Sequence, residues 1–242
     1  MKKKYALLLD LDHTLCDTAR ADELGLREFQ QELEKHFSRN VAIEIGTAYM
    51  DIIYGSKKTE TEWKRRTGEG ELEFRGRLLS QTLLLRNEGN LPVIDEKKWA
   101  QLFMDFRVAN LDFFPGVCSM LERLRSKFTL TVVSNGPLFS QKPKVEKLDL
   151  AEAVDHIVLG GAFTHQKPHP EIFYHACNLS GCTPKDAIHV GDMLYIDIAG
   201  AFAAGIECVW VSGGKKRHEH QPAPDHVITS IVELEKCLVN RV

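Results

Sequence analysis

Five short apolar blocks, each stopped abruptly by a polar or glycine-rich end, constrain this chain most. Residues 5–9 stop at Asp10, 128–133 at Ser134-Asn135-Gly136, 156–159 at Gly160-Gly161 and 187–190 at Gly191-Asp192; residues 208–211 form the last block. Blocks this short and this continuously apolar read as strands buried on both faces, the habit of parallel sheets. From about residue 126 they alternate with helix-like stretches, which predicts βαβ units and an α/β core of three layers. In such a core the carboxyl ends of all strands lie along one edge, and ligands bind in the crevice outside that edge.

The helices between the blocks have their own signals. Ile172, Phe173, Ala176 and Cys177 mark one helix face, and 196–204 reads as a helix of small residues closed by Gly205. Thr183-Pro184 reads as an N-cap with proline at the first helical position. Ser230 and Glu233 match a capping box before a last helix that carries Leu234 and Leu238. Residues 18–109 differ: Leu26, Phe29, Leu33 and Phe37, then Trp99, Leu102, Phe103 and Phe106, recur at helical spacing and strand signals are few. Gly68 and Gly70 are expected to break the charged stretch 61–86. The expected organisation is a core of residues 1–17 and 110–242, interrupted by a helical domain of 18–109.

A net charge of -3 offers no basic surface for nucleic acid, and no segment approaches a membrane span. Lys2-Lys3-Lys4 before an apolar stretch imitates a secretory leader, but only five apolar residues precede Asp10, so a cytoplasmic protein is expected. The six cysteines form no CxxC pair and read as reduced thiols. Lys215-Lys216-Arg217-His218-Glu219-His220 reads as a solvated loop.

The strand ends carry the chemistry. Asp10 and Asp12 are separated by one residue and in extended backbone face the same way. Two acids so close need a cation, a shared proton or donors, which leaves open a hard metal or a nucleophile with an acid/base partner. Ser134, Lys167, Asp192 and Asp197 follow at or just after later strand ends. Carboxylates, a hydroxyl, a lysine and a cation together suit a phosphoryl group, whose transfer depends on positioning and charge neutralisation.

Four blocks, Asp10-Leu11-Asp12-His13-Thr14-Leu15, Val133-Ser134-Asn135-Gly136, Lys167-Pro168-His169-Pro170-Glu171-Ile172-Phe173 and Gly191-Asp192-Met193-Leu194-Tyr195-Ile196-Asp197, resemble those of the haloacid dehalogenase-like hydrolases. The resemblance covers essentially the whole chain and implies a Rossmann-like core with an inserted α-helical C1 cap that closes over the cleft. It implies Asp10 as nucleophile and Asp12 as acid then base. Mg²⁺ would be held by Asp10, the Asp12 carbonyl and Asp192, with Asp197 orienting Asp192. Thr14, Ser134, Asn135 and Lys167 would be the substrate contacts, with Ser134 and the Asn135 backbone on the phosphate, Lys167 also neutralising charge and Thr14 in a supporting part on the same turn. Met193 stands where a small hydroxyl residue is usual.

The activity so implied is a Mg²⁺-dependent phosphatase acting on a small phosphorylated metabolite, a sugar phosphate or nucleoside monophosphate, through an aspartyl-phosphate. The stretch from 156 to 211 is most similar to N-acylneuraminate-9-phosphatases and pyrimidine nucleotidases. The alternatives are a sugar-phosphate mutase of the β-phosphoglucomutase kind and a non-catalytic phosphate-binding module. Asp12 argues against a dehalogenase, which does not need the second acid. A monomer or homodimer is expected. Tyr49, Tyr54, Lys57, Lys58, Arg65 and Arg66 lie where a cap would choose its substrate, although packing or plain surface is the simpler reading for each.

Overall fold

The computed structural model describes residues 5–54, 70–86 and 95–238. Six parallel strands, β1 (Ala6–Leu9), β2 (Thr129–Ser134), β3 (His156–Leu159), β4 (Ala187–Gly191), β5 (Glu207–Val211) and β6 (His226–Ile228), form one sheet in the order β3-β2-β1-β4-β5-β6. The order reverses at β1, where β2 lies on one side and β4 on the other, and such a switch point opens a crevice at the carboxyl ends. The register pairs Leu9 with both Val132 and Val190, so the residues just past β1 lie beside Ser134 and Gly191.

Every residue of β1 is fully buried, as a central strand covered on both faces requires. Against one face, Ala6 and Leu8 join Ile172, Phe173 and Ala176 of helix Pro170–Ser180 and Ile198 and Ala201 of the turn-and-helix after β4. The chain divides into two compact units, one of residues 1–18 and 111–242 and the other of 19–110. Among its described residues the second unit is helical. Helices Thr18–Leu33, Arg39–Tyr54, Glu71–Arg86 and Glu96–Ala109 contribute Phe29, Leu33, Ile45, Tyr49, Leu79 and Phe103 to one apolar cluster. Phe29, Tyr49 and Phe103 meet as a tilted trio with ring centroids 5.0 to 6.0 Å apart. Helix Glu71–Arg86 begins directly after Gly70, whereas Gly68 lies outside the described residues.

Four elements differ from the sequence reading. β6 was not expected: it has three residues, and its middle residue Val227 is exposed, so no apolar block announces it. Helix Leu138–Lys147 was not expected either, because Pro143 lies inside it and a proline normally ends a helical pattern. Thr183-Pro184 opens only a single 3₁₀ turn, Pro184–Asp186. The stretch read as helix 196–204 is a π turn, Leu194–Ile198, running into helix Ala199–Ala203, with Gly205 left-handed at its end. The capping box of Ser230 and Glu233 is present, followed by the short helix Leu234–Cys237 with Leu234 and Leu238 buried. All six cysteines are free, Lys215 to His220 is exposed, and among the described residues no helix is long and apolar enough to cross a membrane.

Candidate active site

The site grows from the turn that ends β1. Asp10 keeps one further ladder bond, its N–H donating to the Val190 carbonyl at 2.9 Å, and the chain then curls about the carbonyl of Leu11, which accepts from the N–H groups of Leu15 and Cys16. His13 takes a left-handed conformation in that curl, one of the few side chains besides glycine that enters it with modest strain. The turn brings Thr14 under Asp10, and its hydroxyl donates to Asp10 Oδ2 at 2.8 Å. Thr14, read above among the substrate contacts, is fully buried with its hydroxyl committed to Asp10, so it orients that carboxylate.

Lys167 reaches the other oxygen of Asp10. Its Nζ lies 2.6 Å from Asp10 Oδ1 and 2.8 Å from Asp197 Oδ1. The lysine is fixed by Asn135 at the end of β2, whose side chain donates to the Lys167 carbonyl and accepts from the Lys167 N–H. Asn135 thus spends one donor and one acceptor of its amide on holding the lysine. Asp197 accepts from Lys167 and from His189 Nε2 on Oδ1, and from the Met193 N–H on Oδ2. Gly191 makes room for it: a Cβ at 191 would lie 2.3 Å from the Asp197 carboxyl carbon.

Asp12 has a different set of neighbours. Lys144 Nζ and the Thr18 hydroxyl both sit 2.6 Å from its Oδ1, and Gln141 Nε2 donates to Oδ2 at 3.2 Å. Ser134, nearly fully buried at the end of β2, donates to Gln141 Oε1 at 3.1 Å. The sheet edge therefore brings Asp10, Asp12, Ser134, Asn135, Lys167, Asp192 and Asp197 into one network, with Trp210 Nε1 donating to the Asp192 carbonyl.

The electrostatics separate the acids. Burial, with the charges of Asp197 and Asp12 adding to it against Lys167, pushes the Asp10 carboxyl up to about 7. Burial also works on Asp12, but Lys144, Thr18 and Gln141 outweigh it and hold the group below the usual carboxylate range. Asp192, half-buried and repelled by Asp197, is raised to about 6. Asp197 is depressed because Lys167 and His189 outweigh its burial.

The model of the haloacid dehalogenase-like hydrolases matches residues 6–205. The chain belongs to that family. An N-acylneuraminate-9-phosphatase of Rattus norvegicus is 30% identical over 98% of this chain and 95% of its own length. A glyceraldehyde 3-phosphate phosphatase of Pyrococcus furiosus is 25% identical over 98% and 94%. Among solved structures, the putative HAD-hydrolase YfnB of Bacillus subtilis, bound to magnesium, superposes with a TM-score of 0.70 at 21% identity, covering 98% of this chain and all of that one. At that identity the likeness speaks for the fold.

For a haloacid dehalogenase-like hydrolase the donor set can be tested against a divalent cation. Carboxylate oxygens of Asp10, Asp192 and Asp197 all lie within 4.8 Å of one another, and Lys167 is the ammonium paired with two of them, Asp10 and Asp197. Oxygen ligands crowded together, with one of the three acids lacking an ion-pair partner among the described residues, fit a hard dication such as Mg²⁺. Asp197 takes three protein donors, two on Oδ1 and one on Oδ2, whereas Asp10 takes one on each oxygen, so Asp197 has the least lone-pair capacity left and suits an orienting part.

Sequence reasoning missed Gln141, Lys144, His189 and Thr18. The first two sit one turn apart on the helix that Pro143 disguised, and His189 reads as one polar interruption in an apolar strand. Of the residues proposed to face a substrate, Tyr49 is fully buried and donates to the Arg75 carbonyl at 3.0 Å, and Tyr54 lies beneath Arg107 with 4.1 Å between guanidinium and ring centre. Both are engaged within the helical unit. Lys57, Lys58, Arg65 and Arg66 lie outside the described residues.

Proposed function

We propose that the protein is a Mg²⁺-dependent phosphatase that hydrolyses a small phosphate monoester through an aspartyl-phosphate. One observation carries the reading: two acids one residue apart are given separate partners, Asp10 to Thr14 and Lys167, Asp12 to Lys144, Thr18 and Gln141. Acids split in this way can do different work in one reaction.

Asp10 attacks phosphorus as the bond to the leaving oxygen breaks, and Asp12 delivers its proton to that oxygen. Water then attacks the phosphoryl group, Asp12 takes the water's proton, and phosphate leaves with Asp10 restored. Lys167 stays against Asp10 and offsets charge on the transferring group, while Ser134 and the Asn135 backbone receive the phosphate oxygens. Mg²⁺, held by Asp10 and Asp192 with the Asp12 carbonyl, would lower the repulsion between Asp10 and an anionic substrate. A phosphate dianion arriving at the sheet edge adds negative charge near Asp12 and raises its proton affinity, which lets it carry the proton that the first step consumes.

Sugar phosphates and nucleoside monophosphates are the substrate class proposed, and the relatives named for a sialic acid phosphate and a triose phosphate support that breadth. The helical unit is proposed to serve as the C1 cap that selects among them. Hydrolysis of p-nitrophenyl phosphate with and without Mg²⁺ tests the reading. Wild type is expected to release phosphate only with the metal, and Asp10→Asn to lose at least about 10³-fold. Equal activity in both proteins refutes it.

A further inference from the structure

Lys144 and Gln141 lie outside the four blocks quoted above, yet between them they take both oxygens of Asp12. Lys144 is nearly buried although charged, and its Nζ is 2.6 Å from Oδ1. A charged side chain is rarely enclosed without a partner that repays its desolvation, and here the partner is Asp12. Gln141, also buried, uses its amide in two directions: Oε1 accepts from Ser134 and Nε2 donates to Asp12 Oδ2. The pair sits three residues apart on helix Leu138–Lys147, the spacing that puts two side chains on one face. Gly136 clears the space for this: a Cβ there would come within 2.9 Å of Gln141 Nε2, at a φ of +111 that side chains avoid.

We infer that Lys144 and Gln141 are positioning residues for Asp12, Lys144 anchoring Oδ1 and Gln141 aiming Oδ2, so that Oδ2 is the oxygen that exchanges the proton. The distances single out Oδ2: Oδ1 receives two donors at 2.6 Å, whereas Oδ2 receives one at 3.2 Å and keeps a lone pair for chemistry. The relay from Ser134 through Gln141 also ties the aim of the acid to the hydroxyl assigned to the phosphate. This inference rests on the phosphatase reading above.

The test exploits the leaving group. kcat/KM covers every step through departure of the alcohol, and an alkoxide needs a proton to leave where a nitrophenolate does not. Lys144→Met is expected to lower kcat/KM for glycerol phosphate about 100-fold, and for p-nitrophenyl phosphate about tenfold less than that. Gln141→Leu, which keeps the ion pair, is expected to show the same selectivity at smaller size, and Lys144→Arg to recover part of the glycerol phosphate rate. Equal losses on both esters, or no loss on either, overturn the inference while leaving the phosphatase reading intact. A wild type inactive on both esters, or matched by Asp10→Asn, overturns both. Should Lys144→Met fail to fold, Gln141→Leu decides by the same ratio.

Discussion

In the helical unit the buried guanidinium groups of Arg75 and Arg107 are each paired with a carboxylate, whereas at the sheet edge Asp10 and Asp197 share one ammonium and Asp192 has no ion-pair partner among the described residues. Arg75 pairs with Glu71 at 2.8 Å, and Arg107 pairs with Asp22; both guanidinium groups also lie against the Tyr54 ring. At the sheet edge Asp10, Asp192 and Asp197 face Lys167, and no described residue donates a hydrogen bond to the carboxylate of Asp192. Enclosed charge is expensive in either place. Where it is balanced, as around Tyr54, it holds the fold; where it is left in excess, it marks the place of a ligand of opposite sign.

Three substitutions break or sharpen this contrast. Asp192→Asn removes the acid that lacks a partner, and the Mg²⁺ affinity is expected to fall about 100-fold, measured by titration calorimetry. An unchanged affinity would place the metal elsewhere. Arg107→Met strips Asp22 of its partner, and a loss of about 3 kcal/mol is expected in urea unfolding of the helical unit's signal, largely recovered by adding Asp22→Leu. Additive losses in the double variant would show that the pair is not what holds those helices. Tyr49→Phe keeps the packing of the aromatic trio and deletes only the bond to the Arg75 carbonyl, so the same unfolding measurement should report about 1 kcal/mol. A loss near zero would mean that the carbonyl's bond within helix Glu71–Arg86 is sufficient for it.

The two units were also unequally legible in the sequence. Five strands could be read because a strand buried on both faces has no room for polar residues, and Asp10, Asp12, Ser134 and Asp192 stood out because they break that rule at a strand end. β6 escaped because it is short and its Val227 faces outward. Lys144 and Gln141 escaped because proline propensity argued against the helix that carries them, and the packing of Leu138–Lys147 overrides that local cost. In the helical unit the apolar spacing gave the helices, but nothing local says that Tyr49 is consumed by packing or that the exposed Tyr54 lies against two arginines. Such pairings join residues far apart in sequence, and only the fold brings them together.

The hydrogen on Gly191 has a consequence for how this site can drift. A methyl group there would occupy the space of the Asp197 carboxylate, which anchors Lys167 and, through it, Asp10. A larger residue at 191 is therefore expected to push the acid at 197 off its lysine, and loss of that acid to free the lysine directly, so neither change is a neutral step on its own. Any descendant that abandons either residue must find a new tether for its lysine.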